Sequence, residues 1–275
     1  MTIAISIKVN DGIILGTDSA ASILMLSQDG QSLGIGNVYN NADKLFNLCK
    51  GMPIGAITWG NGSIGQSSIS TLIKDYRKKL SEEITANYCL EEISSNFSKF
   101  IYEDNYIPAF RDWQIKPQIG FMVCGYSSSE ALPEEWKFEI IDGEIIGPLL
   151  VRKKNEVGMA WNGEVEAITR LYFGFSNLTP SILLKTGLDE KKVTEIMEAL
   201  RAETTVPFVI SSLPIIDAIE MAEFFIQTTM NFVKYMPGAP IVGGPIDIAA
   251  ITKHEGFKWV KRKHYFCSEL NPKEV

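Results

Sequence analysis

The 275-residue sequence predicts an α+β protein, a four-layer αββα sandwich in which two antiparallel sheets pack together and helices cover them. Two observations predict this fold class. Strand patterns occur as hairpin pairs, and helical patterns fall in groups between those pairs, whereas a parallel sheet would alternate single strands with single helices. Because no linker, repeat or low-complexity segment interrupts residues 1–275, we expect a single domain.

The first element is a hairpin, predicted at residues 3–9 and 13–18. Its first strand alternates isoleucine and valine with smaller or polar residues from Thr2 onward, which is the period-two pattern of a half-buried strand. The intervening Asn10-Asp11-Gly12 is a strong signal for a tight hairpin turn. The chain is therefore expected to enter a strand at its second residue.

Beyond this hairpin we expect a longer loop at about 22–43, rich in Ser, Gly and Asn, and then further strands and amphipathic helices. Extra helical sequence is expected at about 175–215. In chain order the other predicted elements are strands at 44–49 and 54–59, helices at about 69–80 and 90–101, strands at about 118–126, 136–142, 144–151 and 156–161, helices at about 163–174, 189–202 and 214–235, and a closing hairpin at 246–253 and 256–263.

Composition narrows the function classes. The net charge of −7 and the pI near 5.1 argue against nucleic acid or an anionic membrane as the main partner. The four cysteines are scattered without a C-x-x-C pair, so neither a zinc site nor a disulfide framework is indicated, and we expect no cofactor. No uncharged run reaches the length of about 18 residues that a spanning helix needs, and the expected location is cytoplasmic.

Gly60-x-Gly62-x-x-Gly65 matches the spacing of a dinucleotide-binding loop. That fingerprint also requires a parallel βαβ unit with an acidic residue about 20 positions further on. Here Glu82 and Glu83 fall at the end of a helix, and the strand before Gly60 belongs to a hairpin. The glycines are better explained by a sharp turn and a close backbone approach, and nucleotide binding remains a minor alternative.

The opening hairpin places a carboxylate near the start of the chain. One turn register sets Thr2 opposite Ala21 and the other sets it opposite Ser19, and the hairpin brings Asp18 back toward the level of Thr2. If Met1 is removed, Thr2 carries a hydroxyl and a free α-amine whose ordinary pKa is about 7.7–8.0. A neighbouring ammonium would lower that pKa, and this is the Thr version of a nucleophile with its own base.

The residues that surround these positions resemble a known family. Thr2, Gly12, Gly16-Thr17-Asp18-Ser19, Lys44-Leu45-Phe46 and Trp59-Gly60 follow the pattern of the proteasome β-subunit and HslV superfamily, the threonine-type N-terminal nucleophile hydrolases. The resemblance is specific over the first 65 residues and weaker beyond, where it continues through FMVCGY and PIVGGPIDIAAIT. It implies the same αββα fold.

The resemblance also implies roles for individual residues. Thr2 would be nucleophile and base, Lys44 would tune the Thr2 amine, and Asp18 would orient Lys44. The backbone N–H of Gly60 would stabilise an oxyanion, the kind of preorganised donor on which acyl transfer depends. Ser22, Thr58 and Gly62, together with Gly60, would bind an extended peptide. The implied substrate is a peptide or an unfolded protein, cleaved inside a homo-oligomeric ring whose unfolding partner, if it has one, is not identified.

The sequence departs from the family pattern around this site. Asn162 replaces the serine that precedes Gly163, and Ala239 and Val242 replace two polar residues that support the terminal amine. Asp247 lies close by in the sequence and is a candidate replacement. Two functions therefore stay open: a threonine-type peptidase or amidase exposed by loss of Met1, and a non-catalytic proteasome-like subunit that acts as an assembly scaffold.

Overall fold

A computed structural model describes residues 2–26 and 32–266 of the chain. Met1, the tip of the expected loop at 27–31 and the C-terminal residues that include Cys267 lie outside the described residues. The expected removal of Met1 accordingly stays a prediction.

The strands lie close to the positions that the apolar patterns predict, apart from the ribbons described below. In chain order they are β1 (Ile3–Val9), β2 (Gly12–Thr17), β3 (Ala21–Leu26), β4 (Ser32–Tyr39), β5 (Leu45–Asn47), β6 (Ile54–Gly60), β7 (Ser63–Ile64), β8 (Ser67–Ser68), β9 (Ile119–Gly125), β10 (Glu134–Ile141), β11 (Glu144–Leu150), β12 (Gly158–Gly163), β13 (Asp247–Thr252) and β14 (Gly256–Lys261).

The helices cover the expected segments, and one further short helix lies at residues 107–110. They are α1 (Ile69–Glu83), α2 (Leu90–Lys99), a π-helical turn (Phe100–Tyr106) that runs on into α3 (Ile107–Phe110), α4 (Glu166–Phe173), α5 (Thr179–Lys185), α6 (Glu190–Thr204) and α7 (Ile215–Tyr235). The described helices include none that is both long and apolar enough to cross a membrane.

Two five-stranded sheets form the centre of the structure. Sheet I has the order β12-β1-β2-β13-β14, and sheet II has the order β11-β10-β9-β6-β5. Every neighbouring pair in both sheets is antiparallel. These pairings confirm the prediction of an α+β protein with antiparallel sheets and helices. The prediction was possible because hairpins need only short turns, whereas parallel strands need long crossovers.

Three apolar clusters hold these elements together. The first joins Ala4, Leu15 and Ile251 of sheet I to Ile57 and Met122 of sheet II. The second packs α1 and α2 against sheet II, and the third packs α4 and α7 against sheet I. Burial of these apolar surfaces is the main favourable term in folding, worth about 25 cal/mol for each Å² removed from water.

β1 differs from its predicted pattern because both of its faces are buried. Ile3 and Ile5 face the apolar cluster that α4 and α7 form with sheet I, as the alternation predicts. For the opposite face, the half-buried pattern predicts exposure to solvent. In the structure this face is buried against sheet II, and it includes two polar residues, Ser6 and Lys8. Ser6 Oγ donates to Glu135 Oε1 at 2.6 Å, and Lys8 Nζ donates to the Lys153 carbonyl at 3.1 Å. Such partners make burial of polar side chains tolerable.

Part of the segment expected as a loop at about 22–43 forms a two-stranded antiparallel ribbon, β3 with β4. Its Ser, Gly and Asn content is typical of loops, but Ile23, Ile35 and Val38 supply residues that favour strands. A second small ribbon, β7 with β8, lies between β6 and α1. The helical sequence expected at about 175–215 contains α5 and α6.

Candidate active site

The register of the β1–β2 hairpin sets the position of the site. Ala4 lies opposite Thr17 and Val9 lies opposite Gly12, so Asn10-Asp11 forms the turn. Of the two registers that the sequence allows, this is the one that brings Ser19 to the level of Thr2. The Asp18 carboxylate is consequently carried back to the beginning of β1.

Asp18 and Lys44 form a buried ion pair. Lys44 Nζ lies 2.8 Å from Asp18 Oδ1, and the two residues are 6% and 0% exposed. Asp18 follows the last residue of β2, and Lys44 precedes the first residue of β5, so the two sheets bring them together. A charged pair this deeply buried is costly unless its geometry is good and its remaining hydrogen-bonding groups are satisfied.

Three backbone amides satisfy the rest of the Asp18 carboxylate. Oδ1 also accepts from the N–H of Ile3 at 3.0 Å, while Oδ2 accepts from the N–H groups of Ala20 and Gly243, each at 3.0 Å. With Lys44, four donors converge on one carboxylate. Charge-assisted hydrogen bonds of this kind are roughly twice as strong as neutral ones. Asp18 thereby fixes the start of β1, the residues after β2 and a distant loop.

The pKa of Lys44 is lowered from its ordinary value. Burial of the ammonium is the main cause, Asp18 opposes it, and the positive charge of Lys263 adds to the lowering. Lys263 is itself held in place, because its ammonium forms ion pairs with Asp247 and, at 3.5 Å, with Asp43. The sequence offers no signal for Lys263, which lies in a basic stretch close to the C-terminus.

Thr2 directly precedes β1, an inner strand of sheet I, and is buried, with 3% of its surface exposed. Its carbonyl accepts a hydrogen bond from the N–H of Glu164 at 2.7 Å. Gly163 is a close neighbour: it has φ of +91°, and a Cβ there would lie 1.9 Å from the Thr2 carbonyl oxygen. Only glycine fits such an approach without displacing the backbone.

A cavity of about 610 Å³ opens beside Thr2. It gathers most of the residues that the sequence singled out, although they come from four separate segments. Those that line it are Thr2, Ser22, Lys44, Thr58, Gly60 and Gly62. Its volume lies within the range of about 300–1,000 Å³ that is usual for ligand sites. Asp18 does not line the cavity and lies behind Lys44.

Gly60 ends β6 and borders this cavity. Its φ is +88°, and a Cβ would lie 2.5 Å from the Gln118 carbonyl, so a close backbone approach excludes larger residues. Thr58 Oγ1 donates to the Gly120 carbonyl at 3.0 Å. Because β6 lies between antiparallel neighbours and is followed by the β7–β8 ribbon, Gly60-x-Gly62-x-x-Gly65 lacks the parallel βαβ unit of a dinucleotide site.

A second cavity of about 310 Å³ adjoins the first. Thr2, Trp59 and Gly60 line both cavities. Glu139 of β10 lines only the smaller one. The sequence carries no signal for Glu139, because no local pattern links a residue of β10 to the beginning of the chain.

The remaining predicted residues surround this centre. Asn162 is 7% exposed and its Oδ1 accepts from Lys137 Nζ at 2.9 Å, while its Nδ2 has no partner among the described residues. Asp247 is 2% exposed and binds Lys263 rather than Lys44. Val242 packs into the apolar cluster of sheet I. Neither Asp247 nor Val242 supplies the polar support whose absence the sequence indicated.

Cys124 is excluded as an alternative nucleophile. It is fully buried on β9, and burial raises the pKa of its thiol well above the ordinary value. The thiolate is the nucleophilic form of cysteine, so this residue is unreactive. In the part of the chain that the structure describes, no cluster of histidine, cysteine and acidic residues could hold a metal ion.

No protein-family model matches the sequence, and no curated protein is similar to it in sequence. Solved structures that share this fold include two of Anbu. One is a (Gly-1) mutant of Anbu from Hyphomicrobium sp. strain MC1, with 14% identity, a TM-score of 0.51, and an alignment that covers 96% of this chain and 86% of that one. The other is Anbu, described as an ancestral beta-subunit, from Yersinia bercovieri, with 13% identity, a TM-score of 0.52, and coverage of 95% and 88%.

The Anbu structures correct the family assignment made from the sequence. Assignment to the proteasome β-subunit and HslV superfamily is wrong, because the structural neighbours belong to Anbu, a distinct family with a proteasome-like fold. The spacing from Thr2 through Gly12 to Asp18 is set by the length and turn of the β1–β2 hairpin. Such spacing indicates the shared fold and does not separate families within it. At 13–14% identity, the likeness to Anbu concerns the fold alone.

Proposed function

We propose that this protein is a threonine-type N-terminal nucleophile hydrolase that cleaves peptide or related amide bonds. The observation that carries the proposal is the buried Asp18–Lys44 ion pair, which lies behind a cavity that Thr2 and Lys44 line together. An ammonium held beside a free Thr2 amine favours the unprotonated amine, because two neighbouring cations repel. That amine can then act as the general base for the hydroxyl of the same residue.

The proposed reaction proceeds through an ester intermediate. The Thr2 hydroxyl adds to the carbonyl carbon of the substrate while its proton passes to the Thr2 amine. The oxyanion that forms is stabilised by the Gly60 N–H, and its collapse expels the leaving amine, which takes up that proton. Water, activated by the same Thr2 amine, then hydrolyses the ester and restores the hydroxyl.

The proposed substrate is an extended peptide or an unfolded segment. Ser22 on β3 and Gly60 at the end of β6 both border the larger cavity, each from a different strand. An extended chain between them could add its backbone hydrogen bonds to the neighbouring strands, as in other cases of peptide recognition by strand addition. Thr58 and Gly62, which line the same cavity, would contact the residue before the cleaved bond.

We also propose a four-layer αββα arrangement for residues 1–275 as one domain. The apolar cluster shared by sheets I and II supports the two inner layers. The clusters that join α1 and α2 to sheet II, and α4 and α7 to sheet I, support the outer layers.

A non-catalytic scaffold is the second candidate function. The observation that favours it is the lack of polar support around Thr2, since Val242 is in an apolar cluster and Asp247 is paired with Lys263. In that case the Asp18–Lys44 pair would serve only to fix the beginning of β1. The two functions differ in whether a free Thr2 amine exists and reacts.

The N-terminus provides the decisive test. We expect intact mass and N-terminal sequencing of the purified protein to give a chain that begins at Thr2, because threonine is small enough to allow removal of Met1. A peptide epoxyketone should then add once, at Thr2, since closing its ring requires a hydroxyl and an amine on the same residue. Thr2→Ala should give no adduct, and Thr17→Ala serves as the matched control that keeps it. Retention of Met1 throughout, or an adduct elsewhere, would favour the scaffold.

The assembly is proposed to be a homo-oligomeric ring of at least six subunits. The basis is an apolar surface formed by α5 and the residue before it, where Leu178, Ile182 and Leu184 are 58%, 54% and 43% exposed. Exposed apolar clusters of this kind often mark protein contacts. Light scattering at micromolar concentration should give the mass of six or more chains, and Ile182→Glu should reduce it. A monodisperse monomer for the unmodified chain would contradict the proposal.

A further inference from the structure

The smaller cavity beside Thr2 presents a single charged side chain. Among the described residues that line it, Glu139 is the one that carries a charge. Gln118 adds an amide, and much of the remaining lining is apolar, including Trp59 and Ile119. The cavity is at the lower end of the volumes usual for ligand sites, which suits one side chain rather than a longer segment.

Contacts on both of its oxygens hold the Glu139 carboxylate in place. Oε1 accepts a hydrogen bond from Trp59 Nε1 at 3.1 Å, and Oε2 lies 2.9 Å from Lys137 Nζ. Lys137 Nζ also donates to Asn162 Oδ1 at 2.9 Å and lies 5.4 Å from the centre of the Trp59 ring. Glu139 lines the cavity, whereas Lys137 is not among its lining residues.

Thr2 and Gly60 border both cavities, and this arrangement divides a substrate into two halves. The proposed function, on which this step rests, puts the carbonyl carbon against Thr2 and its oxygen at Gly60. The half that becomes the ester extends along Ser22 and Thr58 in the larger cavity. The half that leaves as an amine then extends into the adjoining smaller cavity, toward Glu139.

We propose that the smaller cavity binds the first residue after the cleaved bond and that Glu139 makes this site selective for a basic side chain over an acidic one. A lysine or arginine side chain can lay its methylene groups along Ile119 and place its charged end at Glu139. An acidic side chain would instead bring two carboxylates together without an intervening donor. Lys137 already pairs with Glu139, so the selectivity is moderate, about threefold to tenfold in kcat/KM.

The test uses internally quenched peptides that differ only in the first residue after the cleaved bond, which is lysine, leucine or glutamate. For the unmodified chain we expect kcat/KM to decrease in that order. Glu139→Gln should bring the lysine-to-glutamate ratio close to one, because the amide can still accept from Trp59 Nε1 but carries no charge. Glu144→Gln is the matched control, an exposed carboxylate on the neighbouring strand that lines neither cavity. It should leave the ratio unchanged.

Lys137→Met provides an opposite expectation and keeps the test informative if Glu139→Gln does not fold. Removing the ammonium leaves the Glu139 charge less compensated, so the lysine-to-glutamate ratio should rise. An unchanged ratio in both variants, or an equal loss in Glu144→Gln, would overturn the selectivity. Peptides with a coumarin amide as the leaving group test cleavage separately. If the unmodified chain cleaves neither kind of substrate, the proposed function fails, whereas cleavage without selectivity rejects only the role of Glu139.

Discussion

Lys44→Met is expected to lower kcat/KM for peptide cleavage by at least about 100-fold, which corresponds to the loss of general-base catalysis. The substitution removes the ammonium that lines the cavity with Thr2, so the Thr2 amine returns toward its ordinary pKa of about 7.7–8.0. Fluorogenic peptides assayed from pH 6 to 10 should give a residual rate whose acidic limb is shifted to higher pH. A merely structural role for Lys44 would lower the rate without moving that limb.

Lys44→Arg should be nearly as damaging, although it keeps the positive charge. Lys44 is 6% exposed and reaches Asp18 as a compact ammonium, whereas arginine has a wider planar head. Lys50→Met, at an exposed turn, is the matched control. If Lys44→Arg keeps more than about a tenth of the activity, Lys44 is not the group that tunes Thr2.

The lowered pKa of Lys44 also predicts that the rate of the unmodified chain falls again on the alkaline side before pH 10.5, as the ammonium loses its proton.

Asp18→Asn is expected to abolish cleavage and also to reduce the free energy of unfolding, by about 3–5 kcal/mol. From the sequence alone, the expected effect is only to free Lys44 from its partner. The structure adds a second effect, because each oxygen of Asp18 accepts from two donors. An amide NH₂ in place of either oxygen would face N–H groups with nothing to accept, and the buried Lys44 ammonium would lose its carboxylate partner.

Urea unfolding at pH 7 measures the change in the free energy of unfolding directly. The midpoint should fall for Asp18→Asn and stay within error for Asp11→Asn, which alters an exposed residue in the turn of the same hairpin. Thermal or urea stability equal to that of the unmodified chain would show that the Asp18 network contributes little. Loss of stability with full cleavage would separate the network from the chemistry and reject the proposed role of Asp18.

The strands of both sheets were predictable because alternating or continuous apolar residues leave a local trace in the sequence. The register of β1 and β2 was not, since Asn10-Asp11 and Asp11-Gly12 both have suitable turn chemistry. The structure selects the first turn, in the register that lets Asp18 accept from the Ile3 N–H. The β3–β4 ribbon was missed because its composition is that of a loop.

The site was predictable to the extent that it depends on hairpin geometry. The position of Asp18 follows from the turn, and the nearness of Lys44 came from a family resemblance that is right about the fold and wrong about the family. Lys263 and Glu139 could not have been found in this way. Each reaches the site from a distant part of the chain, and contacts between distant segments leave no periodic pattern in the sequence.

The bond between Asp18 and Gly243 has a consequence for how the protein is made. These residues are 225 positions apart, and Ser19 adds two more bonds to the same distant loop, to the carbonyls of Gly243 and Pro245. A ribosome releases the beginning of the chain long before it releases residue 243, and contacts of such sequence separation form slowly. During synthesis the Asp18 carboxylate therefore lacks one of its four donors. The complete four-donor arrangement around Asp18, and with it the fixed start of β1, therefore exists only after residue 243 has emerged.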